Sequence, residues 1–129
     1  MNLLLDTHVF LWFVIQSPRL SRSIYHQIET TPLVYVSAAL LWEVVIKIQV
    51  KKLSGDPEEL AAKIADSGFQ ELPVSVVHTL ALERLPSHHR DPFDRILVAQ
   101  AYVEHLRLLT ADSGLKPYGS VCQVIAEVT

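Results

Sequence analysis

The strongest constraint on this chain is an alternation: short apolar runs stop at a polar residue, and segments with helical spacing follow them. Residues 2–5 are apolar enough for a buried strand that ends at Asp6-Thr7, and residues 8–15 then read as a mostly apolar helix. Pro18 breaks the chain, and Ser21 caps a short helix to about residue 29, before the Thr30-Thr31-Pro32 turn. A second strand at 33–36 runs into Ser37, an N-cap for a long helix over 38–50 whose Leu40, Leu41, Val44, Val45 and Ile48 form one apolar stripe. Asp56 and Pro57 open a further helix that ends near Gly68. Residues 71–74 predict a third strand, Ser75 caps a helix to about Arg84, and 85–90 form a loop. A helix over 92–105 precedes a fourth strand at 106–110, which ends at Ala111-Asp112, and 123–126 supply a fifth after the Pro117-Tyr118-Gly119 turn. Strands alternating with helices predict an α/β sandwich with a mostly parallel sheet. In such sheets ligands gather outside the carboxyl ends of the strands, and Asp6 and Asp112 each follow a strand directly.

At 129 residues the chain has the length of one domain, 1–129. Half of its residues are hydrophobic and its mean hydropathy is +0.26, which points to helices buried on most sides or to a surface kept for a partner. The apolar runs are cut by Asp6, Gln16, Glu43 and Lys47 well before bilayer length, so a soluble protein without a membrane segment is expected. The first residues lack the positive region and cleavage site of a signal peptide, and the single cysteine, Cys122, excludes a disulfide framework or a cysteine-based metal site. A reducing cytoplasm fits this composition. A net charge of -3 is the opposite of a generic nucleic-acid binder's, so any polyanionic ligand would need metal ions and local basic clusters to offset it.

Four acids stand out. In Asp91-Pro92-Phe93-Asp94 an N-cap aspartate, an N1 proline and an N3 acid meet at one helix start, and capping plus the helix dipole would account for both acids without chemistry. The apolar residues that follow, 96–99 and Ala101, read as a helix buried on several sides, which puts Asp94 in a confined space where a carboxylate needs a partner. Glu43 lies beside the stripe of its helix and is open to two readings, a cleft residue or an ordinary i, i+4 pair with Lys47. Asp6 and Asp112 serve equally as turn or cap residues when taken singly. If these acids converge, they repel one another unless cations neutralise them, and oxygen-only ligation suits Mg²⁺ or Mn²⁺.

Taken in order, the pieces resemble a known family, the PIN domains, and within it the VapC-type toxins of prokaryotic toxin–antitoxin pairs. The resemblance spans nearly the whole chain. It rests on Leu4-Leu5-Asp6-Thr7-His8, on Ser37-Ala38-Ala39 leading into Trp42-Glu43-Val44 and Lys47, on His89-Arg90-Asp91-Pro92-Phe93-Asp94-Arg95 with Ala99-Gln100-Ala101, and on Leu109-Thr110-Ala111-Asp112. It implies a three-layer α/β/α fold around a central parallel sheet, Asp6, Glu43, Asp94 and Asp112 as metal-binding and catalytic acids, and Mg²⁺- or Mn²⁺-dependent cleavage of RNA. It further implies a homodimer and an inhibitory VapB-type antitoxin whose tail covers the cleft. Asp91, well placed as the helix cap, is left outside the metal shell as an outer contributor; Thr7, Thr110 and Ser113 rank second, as residues that orient water or a carboxylate.

Lys47, Lys51, Lys52, Arg90 and Arg95 are candidates to steer RNA phosphates toward the acids, against the plainer reading of a solvated face. His88-His89 lacks the i, i+4 spacing of a helical metal pair and reads as loop, and Trp12, Tyr25, Trp42 and Phe93 read as packing residues. A receiver-like phospho-acceptor would need an acidic pair after the first strand, and an aspartyl phosphatase a second aspartate where His8 stands. Gly55, Gly68, Gly114 and Gly119 form no phosphate-binding loop. The non-enzymatic alternative is a PIN-like scaffold that binds RNA or a protein partner.

Overall fold

The structure, a computed structural model, describes residues 1–128. Five strands form one sheet: β1 (Leu3–Leu5), β2 (Val34–Ser37), β3 (Gln70–Leu72), β4 (Arg107–Thr110) and β5 (Cys122–Val124). All pairings are parallel and the spatial order is β3-β2-β1-β4-β5. The helices are α1 (Thr7–Val14), α2 (Arg22–Thr30), α3 (Ala38–Gln49), α4 (Pro57–Asp66), α5 (Val76–Ala81) and α6 (Pro92–Glu104), and a 3-10 segment covers Ser113–Val121.

The central strand explains the layering. A strand covered on both faces carries a continuous apolar run, and Leu3, Leu4 and Leu5 are all buried. Successive side chains point to opposite faces. Leu3 and Leu5 join Val9, Phe10, Val34 and Leu40 in the core between the sheet and α1 to α4, whereas Leu4 joins Leu97, Val98 and Leu108 beneath α6. The sheet is thus the middle of three layers, and it is wholly parallel where the sequence predicted mostly parallel.

Boundaries differ from the sequence reading in places with identifiable causes. The helix capped by Ser75 stops at Ala81 rather than near Arg84, and residues 82–85 continue in i→i+3 turns ahead of Pro86, which disfavours helical backbone before it. The third strand spans 70–72 instead of 71–74 because its register is set by β2, with Tyr35 opposite Gln70 and Ser37 opposite Leu72. The segment that follows Asp112 runs as 3-10 turns to Val121 and is kinked at Gly119, whose φ of 81° suits glycine.

Topology positions the site. The chain builds β1, β2 and β3 outward in one direction, then returns to lay β4 on the other side of β1, so the strand order reverses between β1 and β4. Leu5 sits in register with Leu109, and the Asp6 amide continues the ladder by donating to the Leu109 carbonyl at 3.1 Å. The residues just after both strands therefore emerge side by side. Ser37 ends β2 and caps α3 without an intervening loop, and the small Ala39 and Ala99 pack with Ile96 between α3 and α6. That contact brings two helices carrying Glu43 and Asp94 to the same edge of the sheet.

Candidate active site

A cleft of about 490 Å³ opens at this edge, and Asp6, Glu43, Asp94 and Asp112 all line it, with Thr7, Asp91 and His89 beside them. Each acid is held by groups that its own local fold supplies.

Asp6 is the N-cap of α1. Its Oδ1 accepts from the Val9 amide at 2.8 Å, and its Oδ2 accepts from the Thr110 hydroxyl and the Ala111 amide. Thr110 Oγ1 in turn accepts from the Asp112 amide at 3.0 Å, so one hydroxyl ties the ends of β1 and β4 together. Burial pushes the Asp6 carboxyl above its ordinary range, against the Thr110 and Val9 hydrogen bonds and the nearby charge of His8. Glu43 is buried as well. Oε1 accepts from the Thr7 hydroxyl and Oε2 meets Lys47 Nζ at 2.9 Å. The i, i+4 pair anticipated from spacing exists, but its carboxylate lies inside the cleft rather than on a solvated face.

Asp91 and Asp94 divide the roles that their tetrapeptide left open. Asp91 Oδ1 accepts from the Phe93 amide at 2.8 Å and the Asp94 amide at 3.3 Å, which is the geometry of an N-cap. Asp94, three residues on, projects toward Asp112 and His89. Its pKa is pushed up to about 7, first by burial and then by the negative charges of Asp91 and Asp6, with Asp112 adding to them and His89 opposing. Asp112 caps the 3-10 segment by accepting from the Gly114 amide at 2.8 Å.

His89, which sequence reasoning assigned to a loop without a role, is central to the cleft. Its Nδ1 accepts from the Asp91 amide at 3.1 Å, which leaves the ring proton on Nε2. Nε2 lies 2.9 Å from Asp112 Oδ2 and 3.6 Å from Asp94 Oδ2, so an N–H stands between two carboxylates. Gly114 makes room for it: a Cβ there would come within 3.1 Å of the His89 ring and 3.0 Å of Asp112 Oδ1. His89 stood in the matched motif but had no role assigned to it, and Gly114 had no signal, because their proximity depends on the loop before α6 meeting the turn after β4.

The donor set fits a hard divalent cation. It is mostly carboxylate oxygen, and the nitrogen among the candidate ligands carries a proton and donates. The His89 ring nitrogen and the Asp94 and Asp112 carboxylate oxygens lie within 4.8 Å of one another, and with the nitrogen donating, the carboxylates are the atoms that would hold the cation, while Asp6 and Glu43 complete the wall. Burial first, and then the charges of Asp91 and Asp6, disfavour ionisation of Asp94, and a bound cation would favour its ionised form.

The basic residues are sorted by the same geometry. Lys47 lines the cleft. Arg95 instead turns away and donates through Nη2 to the Leu82 carbonyl at 3.2 Å, bracing the segment before α6. Arg90, Lys51 and Lys52 are exposed outside the cleft lining. His8, Trp12 and Arg19, which sequence reasoning did not connect to the acids, line its outer part. No helix among the described residues is long and apolar enough to cross a membrane.

The PIN domain family model matches residues 3–120. No curated protein matches the sequence. Among solved structures, the chain is similar to one in VapBC2 from Rickettsia felis bound to a DNA fragment from its promoter, with a TM-score of 0.71 and 16% identity over 99% of this chain and 100% of that one. A toxin–antitoxin complex from Klebsiella pneumoniae aligns with a TM-score of 0.68 and 18% identity over 97% and 98% of the two chains. FitAcB from Neisseria gonorrhoeae aligns with a TM-score of 0.59 and 20% identity over 87% and 88%. At such identities the likeness establishes the fold, which is the one reached above from alternation and topology. The family model, the parallel sheet and the order of the matched motifs agree, and the chain belongs to the PIN-domain family.

Proposed function

We propose that this chain is a metal-dependent ribonuclease and the toxin of a toxin–antitoxin pair. The observation that carries the reading is the convergence of four acids from four separate elements at the carboxyl edge of the sheet, with Asp94 raised to about 7 by burial and by its charged neighbours. Such an arrangement costs stability in the empty protein, and a site that stores cost at one edge of a sheet is a site built for a ligand that relieves it.

In this reading Asp6, Glu43, Asp94 and Asp112 hold Mg²⁺, or Mn²⁺ in its place. The cation would offset their charge and stabilise the negative charge that develops on a phosphodiester as it is cleaved. The chain's own residues do the positioning. Thr110 and the Val9 amide fix the Asp6 carboxylate, Thr7 and Lys47 fix Glu43, and the Gly114 amide fixes one oxygen of Asp112. The Asp91 cap holds the first turn of α6 so that Asp94 faces inward.

A VapB-type antitoxin as partner is supported by the similar structures, which are toxin–antitoxin or VapBC complexes. It is also supported by an apolar groove beside the cleft, lined by Ala38, Ala39, Trp42, Val74, Phe93 and Ile96. Trp42 is exposed and meets Phe93 edge-on with ring centroids 5.0 Å apart, so the packing role expected of both leaves one indole face uncovered. A homodimer is supported by exposed Val76, Leu80 and Tyr102 on α5 and α6. Cytoplasmic residence follows from the same reading.

The test is direct. Purified chain, freed of any antitoxin, is incubated with structured and unstructured RNAs in Mg²⁺, Mn²⁺ or EDTA. Cleavage in either metal and none in EDTA is expected, together with a metal-dependent rise in melting temperature. An absence of cleavage in both metals, or a rate unchanged by EDTA, overturns the proposal.

A further inference from the structure

The outer part of the cleft has a different chemistry from its acidic floor. The His8 imidazole stacks on the Trp12 indole with centroids 5.7 Å apart and planes 28° apart. The Arg19 guanidinium lies over the same indole, 5.9 Å from its centroid. Three flat groups, two of them basic, therefore line the approach to the acids.

Arg19 is firmly placed at its backbone and loosely committed at its tip. Its amide donates to Ser17 Oγ at 3.1 Å and its carbonyl accepts from the Val128 amide at 2.9 Å. Contact with an indole face narrows the choices of a long side chain. At the tip, Nε pairs with Glu127 Oε1 at 3.2 Å, with the two side chains 60% and 46% exposed. A pair so open to water is weak and exchanges its anion readily. Lys47 differs: its partner is the buried Glu43, which has no alternative cation close by among the described residues. Arg19 is accordingly the cleft's available cation, with a tail carboxylate standing where another anion can go.

We infer that Arg19, presented on Trp12, is a phosphate-binding residue for the RNA backbone outside the acidic floor, and that Glu127 occupies it until RNA displaces the carboxylate. This rests on the ribonuclease reading above. The planar guanidinium matches a phosphate's oxygens, and the exposed His8 imidazole, backed by the buried Trp12 indole, provides a flat surface of the kind that unpaired bases meet. An acidic segment of a partner protein is the competing occupant, but a plain carboxylate ligand gives no use for the stacked rings. The arrangement also answers the charge problem: a chain of net charge -3 with an acidic cleft needs a fixed cation at the entrance to hold a polyanion.

The experiment measures binding of a fluorescently labelled single-stranded RNA oligonucleotide in EDTA, where cleavage is not expected, across a series of KCl concentrations. Arg19→Ala is expected to lower the slope of log affinity against log salt by about 0.7, the amount for one phosphate contact on a single strand. Arg19→Lys keeps most of that slope. Glu127→Gln is expected to act in the opposite direction and tighten binding by up to about fivefold, the release of an exposed ion pair. Melting temperatures of all three are compared with the wild type, and the opposite signs of the Arg19 and Glu127 effects exclude unfolding as their cause. An unchanged slope in Arg19→Ala with unchanged affinity in Glu127→Gln, in a wild type that cleaves RNA, overturns the inference and leaves the ribonuclease reading standing. RNA binding unaffected while a co-expressed protein partner is lost from Arg19→Ala assigns the residue to that partner and also overturns it. A wild type that neither binds nor cleaves RNA fails at the level of the function itself.

Discussion

Among the described residues, His78 and His89 face carboxylates on the same local plan, in very different surroundings. At His78, Nδ1 accepts from the Ser75 amide at 2.9 Å and Nε2 meets Glu104 Oε2 at 2.7 Å. At His89, Nδ1 accepts from the Asp91 amide at 3.1 Å and Nε2 meets Asp112 Oδ2 at 2.9 Å. In both, a backbone N–H two or three residues away selects the tautomer and aims the other nitrogen at an acid. Around His78 the charges are matched, one histidine to one carboxylate, and the buried Gln100 donates to the Pro73 carbonyl. Around His89 a single N–H faces Asp112 and Asp94, with Asp91, Asp6 and Glu43 lining the same cleft. The first pair joins α5 to α6. The second is part of a site with more negative charge than the protein itself balances, and surplus charge, rather than the presence of histidine or acid, distinguishes a site from a brace.

The largest effect that tests this difference is on catalysis. Asp94→Asn keeps the shape of the side chain and removes one of the crowded charges, so RNA cleavage is expected to fall by about 10²-fold or more. Folding should not suffer, and in metal-free buffer at neutral pH the variant should melt at or above the wild-type temperature because a disfavoured charge is gone. Cleavage rates together with melting curves, with and without Mg²⁺, check both halves. An Asp94→Asn protein that cleaves normally would end the distinction drawn between the two pairs.

A pH series sharpens it. Asp94 ionises near 7 in the fold against 3.8 in an unfolded chain, so the native state favours its protonated form. The unfolded chain gives up that proton first, and the metal-free protein therefore loses stability as pH rises from about 4 through about 7, then levels off. Mg²⁺ needs the ionised form, and its stabilising effect should grow over the upper part of the same range. Melting temperatures across pH, with EDTA or Mg²⁺, show both trends, and both should flatten in Asp94→Asn.

The sequence carried the fold well for a physical reason. Leu3 to Leu5 and the short runs before Ser37 and Asp112 are buried on both faces, and such strands announce themselves as unbroken apolar stretches bounded by polar stops. Asp6 and Asp112 were legible because a strand end is a local feature, and the parallel register of β1 with β4 does the rest. Asp94 and Glu43 needed the family pattern, since spacing alone explained them as a dipole-favoured acid and a helical ion pair. His89, Gly114 and Arg19 were not legible. Each owes its position to loops meeting in space: His89 to the turn after β4, Gly114 to the ring of His89, and Arg19 to the chain's last residues through Val128. Nor did the sequence distinguish Arg95, held by a backbone carbonyl, from Lys47 in the cleft.

Exchanging each histidine for alanine separates brace from site. His78→Ala removes the bonds to Ser75 and Glu104 made by a buried ring, and should cost about 1–3 kcal/mol while leaving the Mg²⁺-induced rise in melting temperature as it was. His89→Ala should change stability less, because its ring is one-fifth exposed whereas that of His78 is buried. Its effect belongs to the metal: with no N–H between Asp94 and Asp112, the Mg²⁺ concentration at half-maximal stabilisation should fall. Titrations of melting temperature with Mg²⁺ on both variants decide it, and equal behaviour would mean the two pairs serve one purpose.

The smallest effect is at Asp91, which touches both roles at once and allows them to be separated. Its carboxylate caps α6 through the Phe93 and Asp94 amides, and its charge is the second-largest influence raising Asp94. Alanine removes both functions and should cost about 0.5–2 kcal/mol. Asparagine caps nearly as well as aspartate and carries no charge, so it should retain most of the stability, losing only the dipole's preference for an anion, about 0.3–1 kcal/mol. Without the Asp91 charge, Asp94 ionises more easily, and the loss of metal-free stability with pH should shift to lower pH in both variants. If Asp91 acts only through cap and charge, Asp91→Asn keeps Mg²⁺-induced stabilisation and most of its cleavage. Asp91→Asn that retains its melting temperature but no longer responds to Mg²⁺ would instead make Asp91 a ligand of the cation, and would move the cap's carboxylate from the helix to the site.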